Sequence, residues 1–236
     1  MPKVSVVIPC YNQGAFLRET LNSVLAQTYS DYEIIVIDDG STDPATLSVL
    51  EKTDNPAVKI FKTRNGGLAM ARNRGIAAST GDIILPLDAD DLIAPIYLEK
   101  GVSVFTSNPD AGVVYSLADK FGAVNELWQL PEFSPVLLLK ENMVFCSAMF
   151  RRELWARAGG YNTNMKFGWE DWDFWLSLCE LGVGFVRIPE ILFHYRVRND
   201  SMTVTMGYAQ KLSMITRLIL NHPRLYIRHS LAILNH

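Results

Sequence analysis

The sequence predicts an α/β protein built on a mostly parallel, doubly wound sheet with helices on both faces, followed by a helical C-terminal tail. Three observations carry this expectation. Short β-branched runs alternate with stretches of helical spacing. The runs are nearly continuous in apolar residues, as strands buried on both faces require. Two of them stop abruptly on acids, at residues 38–39 and 88–91, and the crevice beyond such strand ends is where open α/β sheets bind ligands.

Residues 4–9 form a β-branched run closed by Pro9, and Phe16, Thr20, Leu21, Val24 and Leu25 follow at helical spacing. Residues 32–37 repeat the strand signal. Their exit, from Asp38 to Pro44, has the Asp, Gly and Ser of a sharp turn, and Asp43 before Pro44 reads as the N-cap of a short helix. Residues 58–61 make a third strand, after which Asn65-Gly66-Gly67 opens a helix through Arg74. The run at 82–87 ends on Asp88-Ala89-Asp90-Asp91. A helix is predicted over 95–105 and a strand over 112–116. Residues 119–139 mix Gly, Asn, Trp and two prolines without a steady period, a loop-rich excursion of the kind that carries specificity. A buried run returns at 142–150. A helix starts at Trp169-Glu170-Asp171-Trp172, and a last strand covers 183–188.

A chain of 236 residues that is 49% hydrophobic supports one large unit plus a tail. The net charge of -3 gives no general reason to expect nucleic-acid binding. Cys10, Cys146 and Cys179 are odd in number, widely spaced and set in apolar surroundings, which predicts reduced core thiols and not a disulfide or zinc framework. No run approaches the ~20 apolar residues of a spanning helix, so a cytoplasmic location is expected, with the inner face of the membrane as a variant of it. No G-x-G-x-x-G follows a predicted strand and no Walker A lysine loop occurs, which argues against a reductase or P-loop enzyme.

Asp88, Asp90 and Asp91 crowd one strand end. Two charges about 4 Å apart repel by roughly 4 kcal/mol at an effective dielectric near 20, and a divalent cation with hard oxygen ligands offsets that cost. The competing account is a solvated turn whose acids cap the helix read from Pro95.

Residues 4–12 (VSVVIPCYN), 38–43 (DDGSTD), 67–73 (GLAMARN) and 88–91 (DADD), in that order and with the later Trp169-Glu170-Asp171 block, resemble the family 2 glycosyltransferases of GT-A fold, a Rossmann-like sheet. The resemblance covers roughly residues 3–205. It implies a catalytic domain over 1–205, divided into a nucleotide-sugar-binding half (1–118) and an acceptor-binding half (119–205), with 206–236 as a helical, locally basic tail. It implies an inverting transferase that moves a sugar from a nucleotide-diphosphate-sugar, UDP by family habit, to a hydroxyl of a glycan or lipid-linked acceptor, assisted by Mn²⁺ or Mg²⁺. Within that pattern Pro9 and Tyr11 floor the nucleotide pocket and Asp39 reads the base, since a carboxylate can accept from a ring N–H. Asp88 faces the ribose or donor sugar, Asp90 ligates the metal, and Arg72 either holds donor phosphate or pairs with the acids. Relatives often carry a His where this chain has Arg198. Arg198 is therefore expected to hold the diphosphate, and His194 is the candidate substitute ligand. Glu170 and Trp169 belong to the acceptor side. A catalytically silent sugar-nucleotide or glycan-binding module on the same fold is the alternative function.

Helix periodicity selects the base. With Trp172 at zero, Trp169, Trp175, Leu176 and Cys179 cluster on one side. Glu170, Asp173, Ser177 and Glu180 gather on the other, which leaves Asp171 as the one carboxylate on the apolar side. Desolvation there should raise its pKa toward that of a working base. In the tail, Lys211, Arg217, Arg224 and Arg228 interleave with Leu212, Ile215, Leu218, Ile219, Leu225 and Ile227. That pattern fits either peripheral contact with an anionic membrane or a helix packed on the domain.

Overall fold

In the computed structural model, which describes residues 1–199 and 201–231, the chain forms one nine-stranded mixed sheet wrapped by helices. Strands β1 (Val4–Cys10), β2 (Tyr32–Asp38), β3 (Val58–Lys62) and β4 (Ile83–Pro86) alternate with helices α1 (Gly14–Leu25), α2 (Pro44–Lys52) and α3 (Leu68–Ala78). Their pairings β3-β2, β2-β1 and β1-β4 are all parallel, as the alternating pattern requires. The period of two along β2 shows both faces covered. Ile34 and Val36 join the large core with Leu17, Leu21 and Val24 of α1, whereas Ile35 and Ile37 pack with Ala71 of α3. Helix α3 lies so close to the sheet that a Cβ at Gly75 would stand 2.3 Å from Val7 Cγ1. Asp43 caps α2, accepting from the Thr46 N–H at 2.8 Å, as the Asp-Pro step predicted.

Past β4 the sheet changes character. Its order runs β3-β2-β1-β4-β8-β6-β9-β5, with β5 (Leu92–Ile93), β6 (Ala111–Gly122), β8 (Met149–Arg151) and β9 (Gly184–Val197). Strand β8 is antiparallel to both β4 and β6, β9 is parallel to β6, and β5 is antiparallel to β9. Helix α4 (Tyr97–Ser107) precedes β6, and the expected excursion at 119–139 is partly regular. Strand β6 continues to Gly122 and folds back through β7 (Glu126–Trp128). Helix α5 (Arg152–Ala158) ends on left-handed Gly159, and α6 (Glu170–Glu180) follows. Two indole N–H groups fasten α6 to the loop before it, Trp172 to the Leu138 carbonyl at 2.6 Å and Trp175 to the Val144 carbonyl at 2.9 Å.

The tail comprises α7 (Met202–Thr205), α8 (Tyr208–Asn221) and α9 (Pro223–Arg228); residues 232–236 of the predicted tail lie outside the described residues. Met214 and Leu218 of α8 are buried in the main core, and the Tyr226 hydroxyl donates to the Leu139 carbonyl at 3.0 Å. The tail therefore packs on the main core beside Leu139, while Leu212, Leu220 and Ile227 stay exposed. No described helix is long and apolar enough to cross a membrane.

Candidate active site

A cleft of about 1360 Å³ opens along the carboxyl ends of β1, β2 and β4, and α6 and α8 contribute to its far wall. Pro9, Tyr11, Asp39, Arg72, Asp88, Asp90, Trp169, Glu170, Asp171 and Arg198 all line it. His194 does not. Side chains alternate along β9, so Phe193 and Tyr195 face the cleft and His194 turns away, its Nδ1 2.6 Å from Asp119 Oδ1. The proposed substitute ligand is thus not brought together with the acids.

Asp39 is buried and holds the loop before α3. It accepts from the N–H groups of Gly66 and Gly67 at 3.0 and 2.8 Å and from Arg74 at 3.1 Å. Gly67 takes φ +83, a left-handed conformation that glycine enters without strain. Asp39 is thus held at the β2 exit of the cleft by backbone and guanidinium donors.

Arg72 is neither exposed nor on a plain helix face. Only 1% exposed, its guanidinium contacts Glu170 through Nη1 and Asp88 Oδ1 through Nη2 at 2.6 Å, so it ties α3, the β4 exit and α6 together. Arg72 thus makes the acid pairing that was one of its expected roles, and it also lines the cleft where a donor phosphate would lie. Glu170 departs from its helical-wheel placement, being buried at 3% exposure. Burial and the Asp171 and Asp88 charges push its pKa up to about 7, against the pull of Arg72. Asp173 is equally buried, with Asn221 Nδ2 2.5 Å and His222 Nε2 3.3 Å from its Oδ1. Asp171 is therefore not the one carboxylate on a covered face. The periodicity missed this because α3 and the tail cover what a lone helix would expose.

Asp171 accepts from Asn142 Nδ2 at 3.1 Å. Burial raises its pKa, against the Arg72 charge that lowers it. The residue before this helix, Trp169, sits at φ +64, a left-handed conformation rare for a bulky side chain. Such strain recurs at ligand sites. Here it aims the first turn of α6, with Glu170 and Asp171, into the cleft.

At the β4 exit, Asp90 Oδ2 lies 2.9 Å from Arg198 Nη1. Burial and the Asp88 charge nevertheless push Asp90 up to about 6. Asp91 is fully buried; its Oδ1 accepts from the Arg196 N–H at 2.8 Å and its Oδ2 has no hydrogen-bond partner. Cys146 was read as a core thiol but stands in the cleft wall, its Sγ 3.4 Å from Asp88 Oδ2. Ligand atoms of Asp88, Asp91 and Cys146 lie within 4.8 Å of one another. Asp88 and Asp90 each face one guanidinium, of Arg72 and Arg198, while Asp91 keeps a buried oxygen with no hydrogen-bond partner among the described residues; three carboxylates against two such cations fit a divalent ion, because oxygen donors of this charge are what Mn²⁺ and Mg²⁺ take. Cys146, Asn142 and Tyr195 are among the cleft residues that sequence reasoning did not assign to the site. Their signal was position in an apolar run beside the acids, which core packing explains equally well.

Comparison with known proteins identifies the fold and the family. A chondroitin synthase of Pasteurella multocida is 30% identical over 217 residues, which cover 89% of this chain and 22% of that protein. The chain thus spans about a fifth of that synthase. An uncharacterized glycosyltransferase of Nostoc sp. is 41% identical over 227 residues, covering 89% of this chain and 70% of its own length. Among solved structures, S. aureus TarS 1-349 in complex with UDP-GlcNAc superposes with a TM-score of 0.73 at 20% identity, covering 93% of this chain and 67% of that one. The mannosyltransferase PcManGT from Pyrobaculum calidifontis, in complex with GDP-Man and Mn²⁺, gives 0.67 at 20% identity, covering 98% and 76%. These likenesses confirm the GT-A fold. The profile described as Glycosyl transferase family 2 matches residues 5–167, and the chain belongs to that family.

Proposed function

We propose that the protein transfers a sugar from a nucleoside-diphosphate sugar, UDP being the first nucleotide to test, to a hydroxyl of a glycan or lipid-linked acceptor with inversion at the anomeric carbon. The observation that supports this reading is the ordering of acids along one cleft. Asp39 lies at the β2 exit, Asp88 and Asp90 at the β4 exit, and Asp171 on helix α6, all lining the same cleft. Asp39, with Pro9 and Tyr11, receives the base; Arg198 approaches the diphosphate; Asp88 meets the ribose or donor sugar. A divalent cation held by Asp90 and its neighbours would neutralise the charge that develops on the departing diphosphate. Asp171, as carboxylate, accepts the acceptor hydroxyl's proton while that oxygen attacks the anomeric carbon and the bond to the diphosphate breaks. Trp169 and Trp172, with ring centroids 5.3 Å apart, offer apolar faces for an acceptor on that side.

A thermal-shift panel of nucleoside diphosphates and nucleotide sugars, with and without Mn²⁺, tests the donor half. A ligand at 100 times its dissociation constant stabilises by about 2.7 kcal/mol. Proton NMR of the product's anomeric configuration then tests inversion. Absence of any nucleotide-dependent shift would remove the reading. Peripheral contact with an anionic membrane is the proposal for the exposed tail residues Leu212, Leu220 and Ile227 beside Lys211, Arg224 and Arg228. Flotation with anionic liposomes that fails at low salt would dismiss it.

A further inference from the structure

The acids at the β4 exit offer a cation two neighbourhoods. The outer one is Asp90, already paired with Arg198. The inner one is the group formed by Asp88, Asp91 and Cys146, whose ligand atoms lie within 4.8 Å of one another. Metal–oxygen and metal–sulfur bonds of about 2.0–2.3 Å bring such atoms around a single ion. Two observations mark the inner group as more than a chance cluster. Asp91 has no exposed surface and its Oδ2 has no hydrogen-bond partner among the described residues, a costly arrangement in a folded interior. Cys146 Sγ is held 3.4 Å from Asp88 Oδ2, facing the acids and not the core.

We propose that Asp88, Asp91 and Cys146 form an inner cation site with two oxygen donors and one sulfur donor, and that it takes a borderline transition-metal ion such as Zn²⁺ or Co²⁺ in preference to Mg²⁺. Sulfur is what makes the difference: thiolate ligands select such ions, whereas all-oxygen sites suit Mg²⁺ and Mn²⁺. On binding, the sulfur–metal bond replaces the thiol S–H and the proton leaves to solvent. Because Asp88 is also the residue that meets the donor in the function proposed above, an ion in the inner site draws that carboxylate away from the donor. The proposal concerns the metal site alone and does not require the donor to be a particular nucleotide sugar.

The test is titration of the full chain with Co²⁺, followed by its absorption spectrum, without nucleotide. A sulfur-to-cobalt charge-transfer band in the near ultraviolet is expected, undisturbed by a large excess of Mg²⁺ and displaced by Zn²⁺. Cys146→Ser should abolish the band and weaken Co²⁺ binding by more than about tenfold. Asp91→Asn should weaken it comparably while Asp90→Asn leaves the band in place; circular dichroism of each variant establishes that it is folded. A band unchanged in Cys146→Ser, no band at saturating Co²⁺, or a band lost in Asp90→Asn and kept in Asp91→Asn would each overturn the inner site. Mn²⁺-dependent nucleotide binding measured alongside separates the two ideas: its persistence without the band leaves the transferase reading intact, and its absence with the band present leaves the inner site intact.

Discussion

Replacing Arg72 with Met removes the one guanidinium shared by Asp88 and Glu170 and keeps most of the side-chain volume. The two carboxylates are not equally affected. The Asp88 side chain is 25% exposed and water can relax around it, whereas that of Glu170 is 4% exposed and cannot recover its hydration. Breaking a buried pair by deleting one partner costs about 3–5 kcal/mol. For a chain of this size each kcal/mol moves Tm by roughly 2–4 °C, so a drop on the order of 6–20 °C is expected near neutral pH. The loss should depend on pH with a definite sign. Glu170 has a folded pKa above its unfolded value, and without Arg72 it rises further. Below the unfolded pKa, near 4.3, the group is protonated in both states and costs nothing. As pH climbs toward the folded pKa the variant loses about 1.4 kcal/mol per unit. Thermal unfolding at pH 5 and pH 8 should therefore show a larger deficit at pH 8, and adding Glu170→Gln should recover most of it. A Tm within 2 °C of wild type at pH 8, or a double variant no more stable than the single one, would refute the reasoning.

Asp171→Asn should keep donor affinity within a few-fold and reduce transfer by the 10²–10⁴-fold typical of a lost general base. Because Asp171 must be ionised to act and its pKa is raised, wild-type kcat/KM should climb with pH through a limb lying above the ordinary aspartate range; a flat profile from pH 4 upward counts against the role. Asp90→Asn should abolish Mn²⁺-dependent donor binding with the fold intact, read by thermal shift with nucleotide; full activity at ordinary Mn²⁺ concentration would contradict it. His222 is 3% exposed between Asp173 and Glu180, which raise its pKa against the effect of burial. Its stabilising contribution is present below the unfolded histidine pKa and lost as pH rises through the folded one, so tail protection from proteolysis should fall across that window and become pH-independent in His222→Gln.

The first half of the fold was legible because its signals are local. Strands β1 to β4 are apolar runs whose exits carry Pro9, the Asp43-Pro44 cap or the Gly66-Gly67 turn, and each such residue limits the backbone by its own chemistry. The second half was less legible because its strands pair at long range. Met149–Arg151 is a three-residue strand, too short to show a period, and it becomes a strand only through antiparallel partners on either side. The same distinction divides the site. Asp88 and Asp90 could be placed from a strand's end, since an acid after an apolar run must lie at the sheet's rim. Cys146 could not, because an isolated thiol in an apolar stretch is indistinguishable from core until the neighbouring acid is known.

Helix α6 shows how far periodicity alone reaches. A helical wheel divides positions into faces but says nothing about what meets each face, and it treats the polar face as solvated by default. On α6 that default fails twice. Glu170 meets Arg72, which arrives from α3, 98 residues earlier in the chain; Asp173 meets His222 and Asn221 at the end of α8, 48 residues later for Asn221. Both partners are themselves polar and themselves buried or half-buried, so neither would be assigned to the interior from its own segment. Buried charge enters such a fold as matched pairs drawn from distant elements, and a sequence read one segment at a time sees each half of a pair as surface. Asp171 differs from its neighbours in that its described side-chain partner is the neutral Asn142, with the Arg72 charge acting on it from beside and not through a hydrogen bond. Half-buried in the same helix turn as an ion-paired neighbour, Asp171 is held through Oδ2 by an amide and not by a guanidinium. That separates Asp171 from Glu170 more firmly than the angle of either residue around the helix.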